Sequence, residues 1–323
     1  MATPPKVGDR LRSTLIAAVL ALLWLCVQPA QAGTYVVTVA GLGGEPDYDQ
    51  RFKAMAADLD KLFKASGGDA HVYTLTGNDA TRARLSGTLA DVARNAKPND
   101  DFVLILIGHG SFDGFEYKFN LVGPDISGGD LAALCDHISA KRQLIVNTTS
   151  ASGGSIAALE KPGRAVIAAT KTGTEKNATV FARYWVEALQ DPSADVDKND
   201  AITALEAFQY ATNKTAGFYE SQKRLATEHA VFEDTGKSEA VRTSSTETGE
   251  GQLLSSFTLV RLGAAQKAAL DPAKRELLAK KEELEQKIDA LKYRKAAMSE
   301  EDYKQQLTEA LVELARVQGE LDK

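Results

Sequence analysis

Three stretches constrain this chain most: "DFVLILIGHG" (101–110), "RQLIVNT" (142–148) and "RAVIAAT" (164–170). Each is a near-continuous apolar run of strand length. A strand with one wet face alternates apolar and polar residues, so runs like these belong to strands covered on both faces. Amphipathic segments lie around and between them. Residues 48–65 place Phe52, Met55, Leu59, Leu62 and Phe63 on one helical side, and 81–95, 127–139 and 177–189 also read as helices. "TYVVTVAGLGG" (34–44) and "AHVYTL" (70–75) add strands, and the alternating "SFDGFEYKFNLVG" (111–123) reads as a hairpin. Strand–helix alternation of this kind predicts an α/β fold with a mainly parallel sheet and helices on both faces.

The two ends do not follow this pattern. Lys6, Arg10 and Arg12 precede "LIAAVLALLWLCV" (15–27), and Ala30-Gln31-Ala32 closes the segment. A basic start, a short apolar core and a small-residue end predict a signal peptide over residues 1–32, and an exported, periplasmic or secreted product. The run is short for a membrane span, so no membrane association is expected after cleavage. The α/β domain is expected over 33–263. From 264 to 323 the chain is rich in Ala, Glu, Lys and Leu. Leu277, Leu284 and Leu291 are seven apart, as are Leu307, Leu314 and Leu321. This predicts a helical hairpin or coiled coil, with Ser299 and Asp302 capping the second arm. It reads equally as a tail packed on the main domain and as a surface for a protein partner. "SEAVRTSSTETGEGQ" (238–252) reads as a flexible loop before a strand in "LLSSFTLVRL" (253–262).

Net charge is −6, which suggests no nucleic-acid surface. Of two cysteines, Cys26 leaves with the signal, so no internal disulfide is expected. Cys135 shares a helical face with Leu131, Leu134 and Ile138 and reads as a core thiol.

Two of the apolar strands end in chemistry-bearing residues. His109 follows "VLILIG" between two glycines, and Ser150 follows "LIVNTT" and precedes Ser152-Gly153. Ligands of open α/β sheets sit beyond the carboxyl ends of the strands, and two adjacent parallel strands would bring His109 and Ser150 to one rim. That is a base-and-nucleophile arrangement. His229, in "ATEHAVFEDTG", is the other histidine that could serve Ser150, though a surface histidine is the default reading.

On these motifs, "LILIGHGSFDG" and "LIVNTTSASGG", the chain resembles the caspase-like cysteine peptidases of the legumain type over about residues 34–262. The resemblance implies a caspase-like sheet, endopeptidase ancestry, and peptide or protein substrates or partners. It implies that His109 is the catalytic histidine, that Ser150 stands in the nucleophile's place, and that the amides of Gly110 and Ser150 form an oxyanion hole. The family's nucleophile is a cysteine. A thiol at a pKa of roughly 8.5 yields thiolate beside a histidine, whereas a hydroxyl needs a tightly held base oriented by a carboxylate. The expected protein is therefore a degenerate peptidase, with an active serine hydrolase using His109 and Ser150 as the alternative.

"DVDKNDAITALE" (195–206) has the spacing of an EF-hand loop. Asp195, Asp197 and Asn199 occupy positions 1, 3 and 5, Ala201 offers a carbonyl at 7, Thr203 is at 9 and Glu206 at 12. Calcium is thus a candidate cofactor. Asp200 replaces the usual glycine at position 6, and Thr203 with Glu206 is also a plain capping box.

Overall fold

The computed structural model describes residues 32–66, 70–237 and 239–323. All but the last residue of the leader predicted over 1–32 lies outside them. Among the described residues no helix is long and apolar enough to cross a membrane.

The central sheet is built from β1 (Thr34–Ala40), β2 (Ala70–Leu75), β3 (Asp101–Ile107), β7 (Arg142–Asn147), β8 (Arg164–Ala168) and β10 (Val231–Glu233). Their spatial order is β2-β1-β3-β7-β8-β10. All neighbours are parallel except β10, which runs antiparallel to β8. A mainly parallel sheet with helices on both faces is the architecture expected from the sequence.

The reason for the unbroken apolar runs is visible in the packing. Val103, Ile105 and Val146 face a core shared with Phe52, Leu59 and Phe63 of α1 (Pro46–Ala65), Phe181 and Trp185 of α5 (Phe181–Ala188), and Phe208 of α6 (Ala204–Ser221). The alternate residues Phe102, Leu104, Leu106 and Ile145 face a second core. There they meet Leu85, Leu89 and Val92 of α2 (Arg82–Asn95), Leu131 and Cys135 of α3 (Gly128–Asp136), and Ile156 and Leu159 of α4 (Ile156–Leu159). Burying each large apolar side chain is worth about 1.5–3 kcal/mol, so an unpartnered polar residue in place of any of these would cost stability.

Local signals set several helix starts. Thr81 accepts the Arg84 amide at 3.2 Å, and Ser127 with Asp130 forms a capping box. Two boundaries differ from expectation because distant carboxylates decide them. Helix α5 begins at Phe181 rather than near 177, since the buried Glu228 carboxylate accepts the amides of Val180 (2.8 Å) and Phe181 (3.1 Å). Residues 252–255, read as loop and strand, form the short helix α7 (Gln252–Ser255), because Asp234 accepts the amides of Gly251, Leu253 and Leu254. The strand that follows is only β11 (Thr258–Arg261). Within the stretch read as a loop, Val241 and Phe232 exchange two backbone bonds of 2.8 Å.

Two small sheets complete the body. The predicted hairpin is β4 (Gly110–Phe112) with β5 (Tyr117–Phe119), extended by β6 (Ile126–Ser127). A ribbon pairs β9 (Ala201–Thr203) with β11.

The C-terminal segment folds as α8 (Gly263–Leu270), α9 (Arg275–Arg294) and α10 (Glu300–Leu321), with Ser299 capping α10 through the Asp302 amide at 3.0 Å. Leu284 and Leu291 of the heptad series are buried. Polar bonds join α9 to the body. Arg261 makes a bidentate pair with Glu282 at 2.5 and 2.9 Å, and Lys281 donates to the Asn199 carbonyl at 2.7 Å. Arg142 binds Asp101 at 2.8 and 2.6 Å and also donates to Gln286. Asp101 and Arg142 open β3 and β7, so this junction lies at the amino-end rim of the sheet.

Candidate functional site

At the opposite rim, β3 and β7 end side by side, with Leu106 paired to Asn147. Beyond them lie His109 and Ser150. Gly110 is where the two chain ends touch. A Cβ there would meet the Ser150 carbonyl at 2.5 Å, Tyr117 at 2.5 Å and the Thr149 hydroxyl at 2.6 Å, so only glycine fits. The Gly110 of the His-Gly motif thus has a packing reason of its own.

Ser150 is 3% exposed. Its hydroxyl accepts the Gly110 amide at 3.1 Å and donates to the Gly110 carbonyl at 3.0 Å. The structure therefore brings Ser150 to the backbone of the residue after His109. The Gly110 amide, expected to stabilise an oxyanion, is bonded to the serine itself.

The His109 imidazole packs against α1. It meets Tyr48 edge-on at 4.7 Å and Phe52 at 5.2 Å, both on α1. Burial among these rings holds its pKa below the usual histidine value, opposed by a hydrogen bond with the Gly43 backbone.

Under Ser150 lies a buried polar network. The Tyr117 hydroxyl binds Asn147 Oδ1 (3.2 Å) and the Thr149 hydroxyl (2.7 Å), and Asn147 Nδ2 donates to Ser155 (3.0 Å). Burial drives the Tyr117 pKa up, so it stays a phenol. Ser152 shares a bond with Thr170 at 3.2 Å. These residues read in sequence only as a hydroxyl-rich strand end, and their partners lie on other elements.

A second pair at this rim was not legible in sequence. His229 Nδ1 lies 2.5 Å from Glu175 Oε1, 54 residues away in the chain. His229 is thus a carboxylate-held histidine rather than a free surface one. Cys135 is buried, and burial pushes its thiol up to about 12, which makes it an inert core residue.

The 195–206 loop sits elsewhere, beside α9. Carboxylate oxygens of Asp195, Asp197 and Glu206 lie within 4.8 Å of one another. Asp200 adopts φ +67°, the left-handed turn that position 6 demands. Asn199 Oδ1 accepts the Ala201 amide at 2.9 Å, and Lys198 donates to the Asp195 carbonyl. Thr203 and Glu206 form the capping box, with Glu206 Oε2 at 2.9 Å from the Thr203 amide. One geometry therefore serves both expectations, cap and ligand set. Ala201–Thr203, which an EF-hand pairs with a second loop, is paired here with β11. Partial desolvation and the Glu206 charge hold the Asp197 pKa above normal.

No family model matches the chain, and no curated protein does. Solved structures do resemble it. The Drosophila initiator caspase Dronc is 14% identical over 66% of this chain and 87% of that one, with a TM-score of 0.43. A Geobacter sulfurreducens protein is 12% identical over 72% of this chain and all of that one, with a TM-score of 0.44. Neither likeness bears on the chemistry of the rim.

Proposed function

We propose that this protein is an exported, catalytically degenerate relative of the caspase-like peptidases that binds peptide or protein at the rim carrying His109 and Ser150. One observation carries the reading. The Ser150 hydroxyl is buried and uses its one donor and one of its acceptor sites on the Gly110 backbone, while the His109 imidazole packs on Tyr48 and Phe52. Among the described residues no imidazole or carboxylate is hydrogen-bonded to this hydroxyl, which supports reading it as a structural serine. The frame around it is kept: two strand ends, a glycine contact and a satisfied polar network. Helix α9 contacts the body near the opposite rim, and the α9–α10 pair is the surface we assign to a protein partner.

Ser150→Cys in a Cys135→Ser background tests this. The swap is nearly isosteric, and a thiol needs less base assistance than a hydroxyl. A thiol-directed peptide electrophile is expected to label the thiol introduced at position 150 and not the parent, and acylating serine probes are expected to leave the wild type untouched. His109-dependent acylation of wild-type Ser150 would overturn the reading in favour of an active serine hydrolase.

The loop at 195–206 supports a second, separate role as a single calcium site of low affinity, carried by the carboxylates gathered around the left-handed Asp200. Millimolar calcium is expected to raise the melting temperature by mass action on the native state, and Asp197→Asn, which spares the cap, to abolish the rise. An equal rise in the variant would leave Glu206 as a cap alone.

A further inference from the structure

We propose that Glu175 and His229 form a positioning brace for the Ser150 turn. The inference rests on the reading of that rim as a binding site and adds a part to it. Ala151, directly after Ser150, has φ +57°, a left-handed conformation that non-glycine residues rarely adopt. Something must hold it there. The Ala151 amide donates to the Glu175 carbonyl at 2.8 Å. The Glu175 carboxylate in turn accepts the Lys171 amide (2.7 Å), the His229 amide (3.2 Å) and His229 Nδ1 (2.5 Å). The loop they span lies directly on the turn: a Cβ on Gly153 would meet the Lys171 carbonyl carbon at 2.4 Å. Glu175 thus clamps three strand ends, those of β7, β8 and β10, at one level.

A carboxylate-held imidazole is also the arrangement a serine nucleophile uses, so the two roles must be weighed. Val231 of β10 pairs with Ala168 of β8, and Ala168 pairs with Asn147 of β7. His229 therefore stands two strands from the Ser150 side, about 10 Å at the usual strand spacing. The Ser150 hydroxyl points the other way, to Gly110 beyond β3. His229 acts on the backbone of the turn through Glu175, and not on the hydroxyl. The His229 side chain is 37% exposed, against 20% for Glu175, so the less exposed carboxylate is the anchor and the imidazole its counter-brace.

Hydrogen exchange at the Ala151 amide reads the brace directly. In folded His229→Ala, exchange at Ala151 is expected to rise about tenfold over wild type, and in His229→Gln, whose side-chain amide can still donate to Glu175, to stay within about threefold. Should His229→Ala not fold, Glu175→Gln, which keeps an acceptor for Lys171 and removes the charge, is expected to raise Ala151 exchange in the same direction, and unchanged exchange there overturns the brace. Thiol labelling at position 150 in the Ser150→Cys, Cys135→Ser protein should slow in parallel. Unchanged Ala151 exchange in folded His229→Ala overturns the brace. If position 150 never labels in that double variant while exchange still rises, the brace stands and the functional reading of the rim fails.

Discussion

Removing the Ser150 hydroxyl separates a structural serine from a nucleophile held in reserve. Ser150→Ala deletes the acceptor for the Gly110 amide and the donor to the Gly110 carbonyl, at a position 3% exposed. Replacing a buried partner leaves the other group desolvated, at about 1–3 kcal/mol for each group. A Cβ methyl in place of CH2OH adds only a small void. The expected loss is about 2–4 kcal/mol, because the Gly110 groups share one partner and relax together. At roughly 2–3 °C per kcal/mol for a chain of this size, the melting temperature should fall by roughly 4–12 °C. Calorimetry with a matched urea titration measures it, and an unchanged m-value confirms that the native state is otherwise intact. Ser150→Cys should lose less, since sulfur fills the space and keeps weak versions of both bonds. A loss below about 0.5 kcal/mol in Ser150→Ala, the level of an ordinary surface change, would refute the argument. The hydroxyl would then be uncommitted in solution, as a nucleophile must be.

Two further outcomes follow from buried groups. Burial and the nearby charges of Asp197 and Glu282 push the Glu285 carboxyl up to about 7, against the pull of Lys281. The folded state then binds more protons than the unfolded chain between about pH 4.5 and 7, so this group makes stability fall as pH rises through that window. Glu285→Gln should flatten this part of the profile and gain roughly 2 kcal/mol at about pH 8 by denaturant titration; a steeper profile in the variant would exclude Glu285 as its source. Cys135, with its thiol at about 12 and no exposure, should resist iodoacetamide in the native protein and react only at the rate of unfolding. Fast native alkylation would show that α3 opens locally.

Much of the architecture was legible because burial on both faces writes itself into composition. The runs at 101–107, 142–147 and 164–168 could only be central strands, and the helices between them showed their 3.6-residue stripes. Asp200 in a left-handed turn and the Thr203–Glu206 box were equally local, and so readable. The α5 start and the α7 turn were not, since Glu228 and Asp234 cap them from distant parts of the chain.

The candidate site divides along the same line. That His109 and Ser150 end adjacent strands follows from strand order, which the motifs already suggested. What the two side chains do there is a tertiary matter. Tyr48 and Phe52 arrive on α1 to take the imidazole, the Gly110 backbone takes the hydroxyl, and Glu175 meets His229 across 54 residues. Local sequence determines conformation where the partners are a few residues apart, because the energies of helix caps, turns and amphipathic stripes are local. The state of a hydroxyl or an imidazole depends on its nearest polar and aromatic neighbours in space. Those are set only when the sheet closes and brings distant loops to one rim.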